Sequence, residues 1–214
     1  EVVKNYPITA FFADYIRYDG AFTDLCLCER CQQIFREEYG HKPKFLKSKG
    51  WYDFKEDTIA KYAQRLQETV KSIDEDCLTG WFMLPGPKKW FTRKRIAQNW
   101  TKLSSILDLA SPMEYPYLMG TYDDGWFWGK LADLAYWYFT RNMKKRAHEF
   151  KSPALTITNS VECNAQEMLK TMRGFDFGLG IAVFKYFGTT DSQWAALKTY
   201  AEEELGLENL KPTK

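Results

Sequence analysis

The sequence predicts an α/β fold built from consecutive βα units, which fits the last five-eighths of a (β/α)8 barrel, the favoured reading, or an open doubly wound sheet. Three observations lead there. Five short apolar runs end in polar residues, and each is followed by a segment with helical apolar spacing. Such a rhythm requires parallel strands with right-handed crossovers. No glycine-rich phosphate loop follows any of the runs, which disfavours a nucleotide-binding open sheet. The length of 214 residues falls short of the roughly 250 that a complete barrel uses.

In chain order, Ile8–Asp14 (ITAFFAD) is an apolar run closed by a carboxylate and reads as a buried parallel strand. A helix is expected over Cys28–Tyr39, stopped by Gly40 and followed by Pro43. Ile59, Tyr62, Ala63, Leu66, Val70 and Ile73 mark the next helix. Cys77–Leu84 is the second strand, ended by Pro85-Gly86-Pro87. Ile96, Trp100, Leu103 and Leu107 predict a helix leading into a short strand at Leu107–Pro112. A long loop, Met113–Trp128, precedes a helix marked by Leu131, Leu134, Ala135, Tyr138, Met143 and Ala147. Ala154–Thr158 is the fourth strand, followed by a short helix around Ala165–Met172. Phe177–Phe184 is the fifth, and Trp194–Leu205 forms the closing helix. Residues 1–205 are thus read as one barrel portion and 206–214 as a frayed tail. The outer strands, Ile8–Asp14 and Phe177–Phe184, would each lack a neighbour. Missing barrel strands or a second chain are therefore expected to cover them.

Composition narrows the function. The net charge is +2, with no general basic excess, which argues against a nucleic-acid partner. No run approaches the ~18 apolar residues of a membrane span, so no membrane partner is expected. Aromatic residues make up 17% of the chain, a share that suits platforms for sugar rings but also cores and interfaces.

In parallel barrels the chemistry sits at the C-terminal strand ends. Those ends carry Asp14 with Arg17, Tyr18 and Asp19; Trp81; Ser111, Glu114 and Tyr115; Asn159, Ser160 and Glu162; and Lys185 with Tyr186. Carboxylates after several strands suit glycoside hydrolysis, which needs two facing carboxyl groups about 5–5.5 Å apart for retention or 6.5–9.5 Å for inversion. Each residue also has a structural alternative. Asp14 can pair with Arg17 to hold the loop, and Glu162 can cap the helix beginning near Asn164. Glu114 can be a solvated loop residue, and Asp123 and Asp124 read as turn residues.

Cys26, Cys28 and Cys31 form a C-x-C-x-x-C cluster within a total of five cysteines. Three thiolates at this spacing can converge on a structural Zn²⁺. The alternative is three thiols at a helix start. The cluster, read as a metal motif, leans towards a cytoplasmic setting, although localisation is otherwise open.

Together these segments resemble a family. Phe11–Asp19 (FFADYIRYD) resembles the Asp-Tyr-Ile-Arg-Tyr signature of TIM-barrel glycoside hydrolase-like proteins. Cys26–Phe35 resembles the cysteine knuckle that follows the acid/base strand in family 42 β-galactosidases and their relatives. Ser111–Tyr115 and Gly178–Tyr186 are similar to later strands of the same barrels. The resemblance implies that the chain holds roughly strands four to eight. Asp14 would then be the general acid/base ending the fourth strand, and Glu162 the nucleophile after the seventh. The Asn-Glu pair common in that clan is replaced here by Ala13-Asp14. Arg17, Tyr18, Glu114, Tyr115 and Tyr186 would line a sugar subsite, with Trp81 or Trp126 as a stacking platform. The resulting expectation is a carbohydrate-acting glycosidase with no cofactor needed for catalysis. Its rivals are a non-catalytic sugar-binding or scaffold barrel and a zinc-stabilised interaction module.

Overall fold

The structure, a computed structural model, describes residues 1–18, 28–42, 49–84, 86, 88–89, 91–115, 134, 137–138, 141–160, 163–174, 178–184 and 188–206. Among the described residues, five strands form one sheet in the order β1-β2-β3-β4-β5. They are β1 (Ala10–Ala13), β2 (Leu78–Met83), β3 (Leu109–Pro112), β4 (Ala154–Asn159) and β5 (Gly178–Phe184). Sequential neighbours in a parallel sheet with helices between them make a partial (β/α) barrel, the expected class. The chain divides into two compact units: Glu1–Ala110 with Glu149–Ser152, and Ser111–His148 with Pro153–Lys214.

In the first unit a short helix, α1 (Val2–Asn5), precedes β1. Strands β1 and β2 run parallel with Ala10 opposite Leu78 and Ala13 opposite Trp81. Phe12 lies against Phe82 with ring centroids 5.4 Å apart. Its ring also fills the space over Gly80, where a Cβ would sit 2.5 Å from a ring carbon. Helix α2 (Glu29–Tyr39) starts at Cys28, whose Sγ accepts the Cys31 N–H at 3.4 Å. It stops at Gly40, whose φ of 72° suits glycine at a helix end. Helix α3 spans Lys49–Lys71, beginning ten residues before the first expected position, Ile59. The extra turns are held by Trp51 and Phe54, which pack around Phe35 at centroid distances of 5.3 and 5.5 Å. Aromatic rings, not the aliphatic periodicity, set that start.

The helix expected from Ile96 to Leu107 is cut down to α4 (Trp100–Ser104). Ala97 takes a left-handed φ of 58°, which breaks any continuous helix. Asn99 then caps a fresh start, accepting the Lys102 N–H at 3.2 Å. The preceding residues form a π-helical turn, Phe91–Arg95. That turn is pinned from α3 by Lys55 Nζ donating to the Lys94 carbonyl at 3.0 Å and by Glu56 gripping Arg93 at 2.8 and 2.9 Å. At the opposite end of β2, Asp108 accepts from the Thr79 amide and hydroxyl at 2.8 and 3.0 Å. Burial by itself raises the Asp108 carboxyl, but these bonds and Lys71 hold it below the ordinary range.

In the second unit β4 and β5 are parallel, with Thr156 opposite Ile181 and Asn159 opposite Phe184. The register shifts between Ala154 and Thr156, and Gly180, at φ 91°, absorbs the irregularity. Helices α5 (Ala165–Gly174) and α6 (Asp191–Leu205) follow these strands. Met168, Met172 and Tyr200 form the core there, with Leu169, Ile181, Val183 and Leu197 against it. Thr190 and Gln193 make a capping box for α6. Four of the observed strands begin or end one or two residues inside the expected runs and β4 extends one residue beyond its run, to Asn159; Asp14 thus stands just beyond β1 rather than within it.

Candidate functional site

Parallel pairing brings the C-terminal ends of β1 and β2 side by side. Asp14 follows β1 directly and is exposed. Its Oδ1 accepts the Tyr15 N–H at 2.7 Å. Tyr15 adopts a left-handed φ of 57° and keeps its ring 72% exposed. The Arg17 guanidinium lies over that ring, 4.2 Å from its centroid. Arg17 therefore stacks on Tyr15, and the described contacts contain no Asp14–Arg17 ion pair. Arg17 Nη1 is buried without a hydrogen-bond partner. Tyr18 is half-buried and donates its amide to the Ile96 carbonyl at 3.0 Å, with Lys55 Nζ 5.5 Å from its ring.

Buried Gln98 holds this loop in place. Its Nε2 donates to the carbonyls of Ile16 at 3.1 Å and Phe82 at 3.3 Å, while its Oε1 accepts the Leu84 N–H at 3.0 Å. One side chain thus ties the segment after β1 to the end of β2. Trp81, expected as a stacking platform, is fully buried with its indole N–H unpartnered. A ring enclosed by protein presents no face to a ligand, and this expectation is corrected.

In the second unit the ladder continues past β3. Met113 bridges to Ile157, and the Glu114 amide donates to the Ile157 carbonyl at 2.8 Å. Glu114 is not a solvated loop residue. It is completely buried, and neither carboxylate oxygen has a hydrogen-bond partner. Burial therefore pushes its carboxyl well above the ordinary glutamate range. Tyr115 stacks on Phe184 with centroids 6.2 Å apart. Ser111 Oγ donates to the Leu155 carbonyl at 2.9 Å.

The loop after β4 is clamped by Gln193, whose Nε2 donates to the carbonyls of Ser160 at 2.6 Å and Cys163 at 2.7 Å. These residues flank positions 161–162 in sequence. Helix α5 is capped by a reciprocal pair: Glu167 N–H to Asn164 Oδ1 at 3.0 Å, and Asn164 N–H to Glu167 Oε2 at 2.8 Å. Burial and the Glu167 charge push the Cys163 thiol up to about 11 despite the Gln193 contact, which favours the protonated thiol.

Glu162, Trp126, Tyr186 and Cys26 lie outside the described residues. Among those described, no group of three or more His, Cys, Asp or Glu side chains gathers to hold a metal. Cys28 and Cys31 sit on the first turn of α2, Cys28 exposed and Cys31 packed against the Phe35 cluster. As thiol donors three positions apart they have the chemistry a structural zinc site uses.

Sequence reasoning missed Gln98, Gln193 and the geometry of Tyr15. The Thr190-x-x-Gln193 spacing is a capping-box signal, but nothing in the sequence marks Gln193 as a loop clamp. Gln98 carries no signal, since a buried glutamine and a solvated one look alike in one dimension.

No protein-family model matches the chain, and no curated protein does. Among solved structures it is similar to the PgaB (BpsB) glycoside hydrolase domain from Bordetella bronchiseptica, with a TM-score of 0.61 at 10% identity, covering 89% of this chain and 55% of that one. Bee venom hyaluronidase gives a TM-score of 0.44 at 11% identity, covering 83% of this chain and 62% of that one. The chain thus spans little more than half the length of the PgaB domain. At 10% identity the first likeness concerns the fold alone: a partial barrel of the kind found in a glycoside hydrolase domain.

Proposed function

We propose that the chain is glycoside hydrolase-like and acts on a carbohydrate by carboxylate acid/base catalysis. The observation that carries this reading is Asp14: an exposed carboxylate directly after a parallel strand of a partial barrel, oriented by the Tyr15 amide at 2.7 Å. Asp14 is assigned as general acid/base. It would protonate the leaving glycosidic oxygen and later deprotonate water or take up the proton of the incoming nucleophile. Glu162 is assigned as the second carboxylate. Gln193 holds Ser160 and Cys163, the described residues on either side of that position in sequence. Arg17 and Tyr18 in the first unit, and Tyr115, Trp126 and Tyr186 in the second, are each proposed to contact sugar; Glu114, being fully buried, is not. The unpartnered Arg17 Nη1 and the Tyr115–Phe184 stack favour that assignment. The proposed partner is a carbohydrate. No described helix is long and apolar enough to cross a membrane.

The test is release of reducing ends from a panel of oligosaccharides. Asp14→Asn is expected to lower turnover by roughly 10²–10⁴-fold. Sugar binding with no turnover in the wild-type chain would instead favour the non-catalytic barrel, and turnover unaffected by Asp14→Asn would remove Asp14 from the chemistry.

A further inference from the structure

We infer that Tyr15 is the aromatic platform on which a pyranose ring of the carbohydrate ligand stacks, beside the Asp14 carboxylate. This rests on the carbohydrate reading above and goes beyond it by naming a binding residue and the ligand face it takes. Single exposed aromatics are common on protein surfaces and need no explanation. Tyr15 differs in three respects.

Its backbone is strained. A φ of 57° places a bulky aromatic residue in the left-handed region, where glycine or asparagine is the comfortable choice. Strain of this kind persists where surrounding structure enforces it, and it clusters at ligand-contacting positions. Here the enforcing contacts are local: Asp14 Oδ1 takes the Tyr15 N–H at 2.7 Å, and the Tyr15 carbonyl accepts the Arg17 N–H at 2.6 Å.

The ring is braced on one side only. Arg17 covers it at 4.2 Å, yet 72% of the residue remains accessible. A guanidinium stacked on an aromatic face immobilises the ring before any ligand arrives, which lowers the ordering cost of binding. The uncovered face is flat and apolar. A pyranose presents one face of C–H groups to such a surface and turns its hydroxyls outward to polar groups. The carboxylate of Asp14, one residue away, is a hydrogen-bond acceptor suited to those hydroxyls.

The expected alternative in the same unit is closed off. Trp81, on the strand beside β1, is fully buried, whereas among the described residues after β1 Tyr15 is the most exposed ring, with Tyr18 half-buried.

The experiment measures binding of cellohexaose and chitohexaose to the 214-residue chain by calorimetry, alongside its melting temperature. Tyr15→Asn removes the ring but suits the left-handed backbone, and Tyr15→Trp keeps a platform. The expected result is a loss of affinity of about tenfold for Tyr15→Asn, with the melting temperature unchanged or raised, and retained affinity for Tyr15→Trp. Unchanged affinity in Tyr15→Asn, with wild type binding normally, overturns the platform while leaving the carbohydrate reading intact. A fall in both affinity and melting temperature assigns Tyr15 a structural role and also overturns it. Failure of the wild-type chain to bind either hexasaccharide overturns this inference together with the reading beneath it.

Discussion

Replacing Glu114 by Gln should make the chain's stability less sensitive to pH in a defined direction. Glu114 is fully buried and both of its oxygens lack partners, so the folded state strongly favours the neutral acid. In the unfolded chain the same carboxyl titrates near an ordinary value of about 4.3. A folded pKa raised above the unfolded one means the folded state binds the extra proton. The stability is then fully present below the unfolded value and is lost as pH rises towards the folded one. Across that window a single proton changes stability by about 1.4 kcal/mol per pH unit. In a chain of 214 residues this corresponds to about 3–6 °C in melting temperature per pH unit. Glu114→Gln is neutral in both states and escapes that slope, whatever constant offset its buried amide introduces. Melting wild type and variant side by side at pH 4, 5, 6 and 7, by circular dichroism and in urea, reads the difference directly. The gap should move in the variant's favour as pH rises above the unfolded value towards the raised folded one. Parallel curves across this range would refute the reasoning, because they would mean that Glu114 is hydrated or paired in the folded chain.

Two further outcomes follow from the same contacts. Gln98→Leu removes three hydrogen bonds and leaves the Ile16 and Phe82 carbonyls and the Leu84 amide without that partner. It should cost about 1–3 kcal/mol by urea denaturation, and a neutral result would show that Gln98 does not brace the strand ends. Cys26, Cys28 and Cys31 are proposed as ligands of a structural Zn²⁺. Elemental analysis of protein purified without chelator should find zinc in the wild type and lose it in Cys28→Ser, and a zinc-free wild type would remove the site.

The alternation of apolar strands with helical segments was legible in one dimension because burial in a parallel sheet demands continuous apolar runs. Asp14 was legible for a related reason: a carboxylate closing such a run stands out. The start of α3 was not, since Trp51 and Phe54 have no helical meaning until Phe35 packs between them. The break before α4 was equally hidden, because Ala97 at a φ of 58° violates what alanine prefers. Gln98 and the bonds around it enforce that path.

The sequence by itself therefore determined the α/β class, the order of the strands and the strand-end position of Asp14. All three follow from local hydrophobic patterning and from the short reach of the connections. Tertiary structure alone decided which polar side chains face solvent. It buried Trp81 and left Tyr15 exposed, and it placed Glu114 out of water with no partner. It also turned two unremarked glutamines into braces for the loops at the strand ends. Burial depends on residues distant in the chain, and a carboxyl's preference for its proton depends on burial. Neither quantity exists until the strands are side by side.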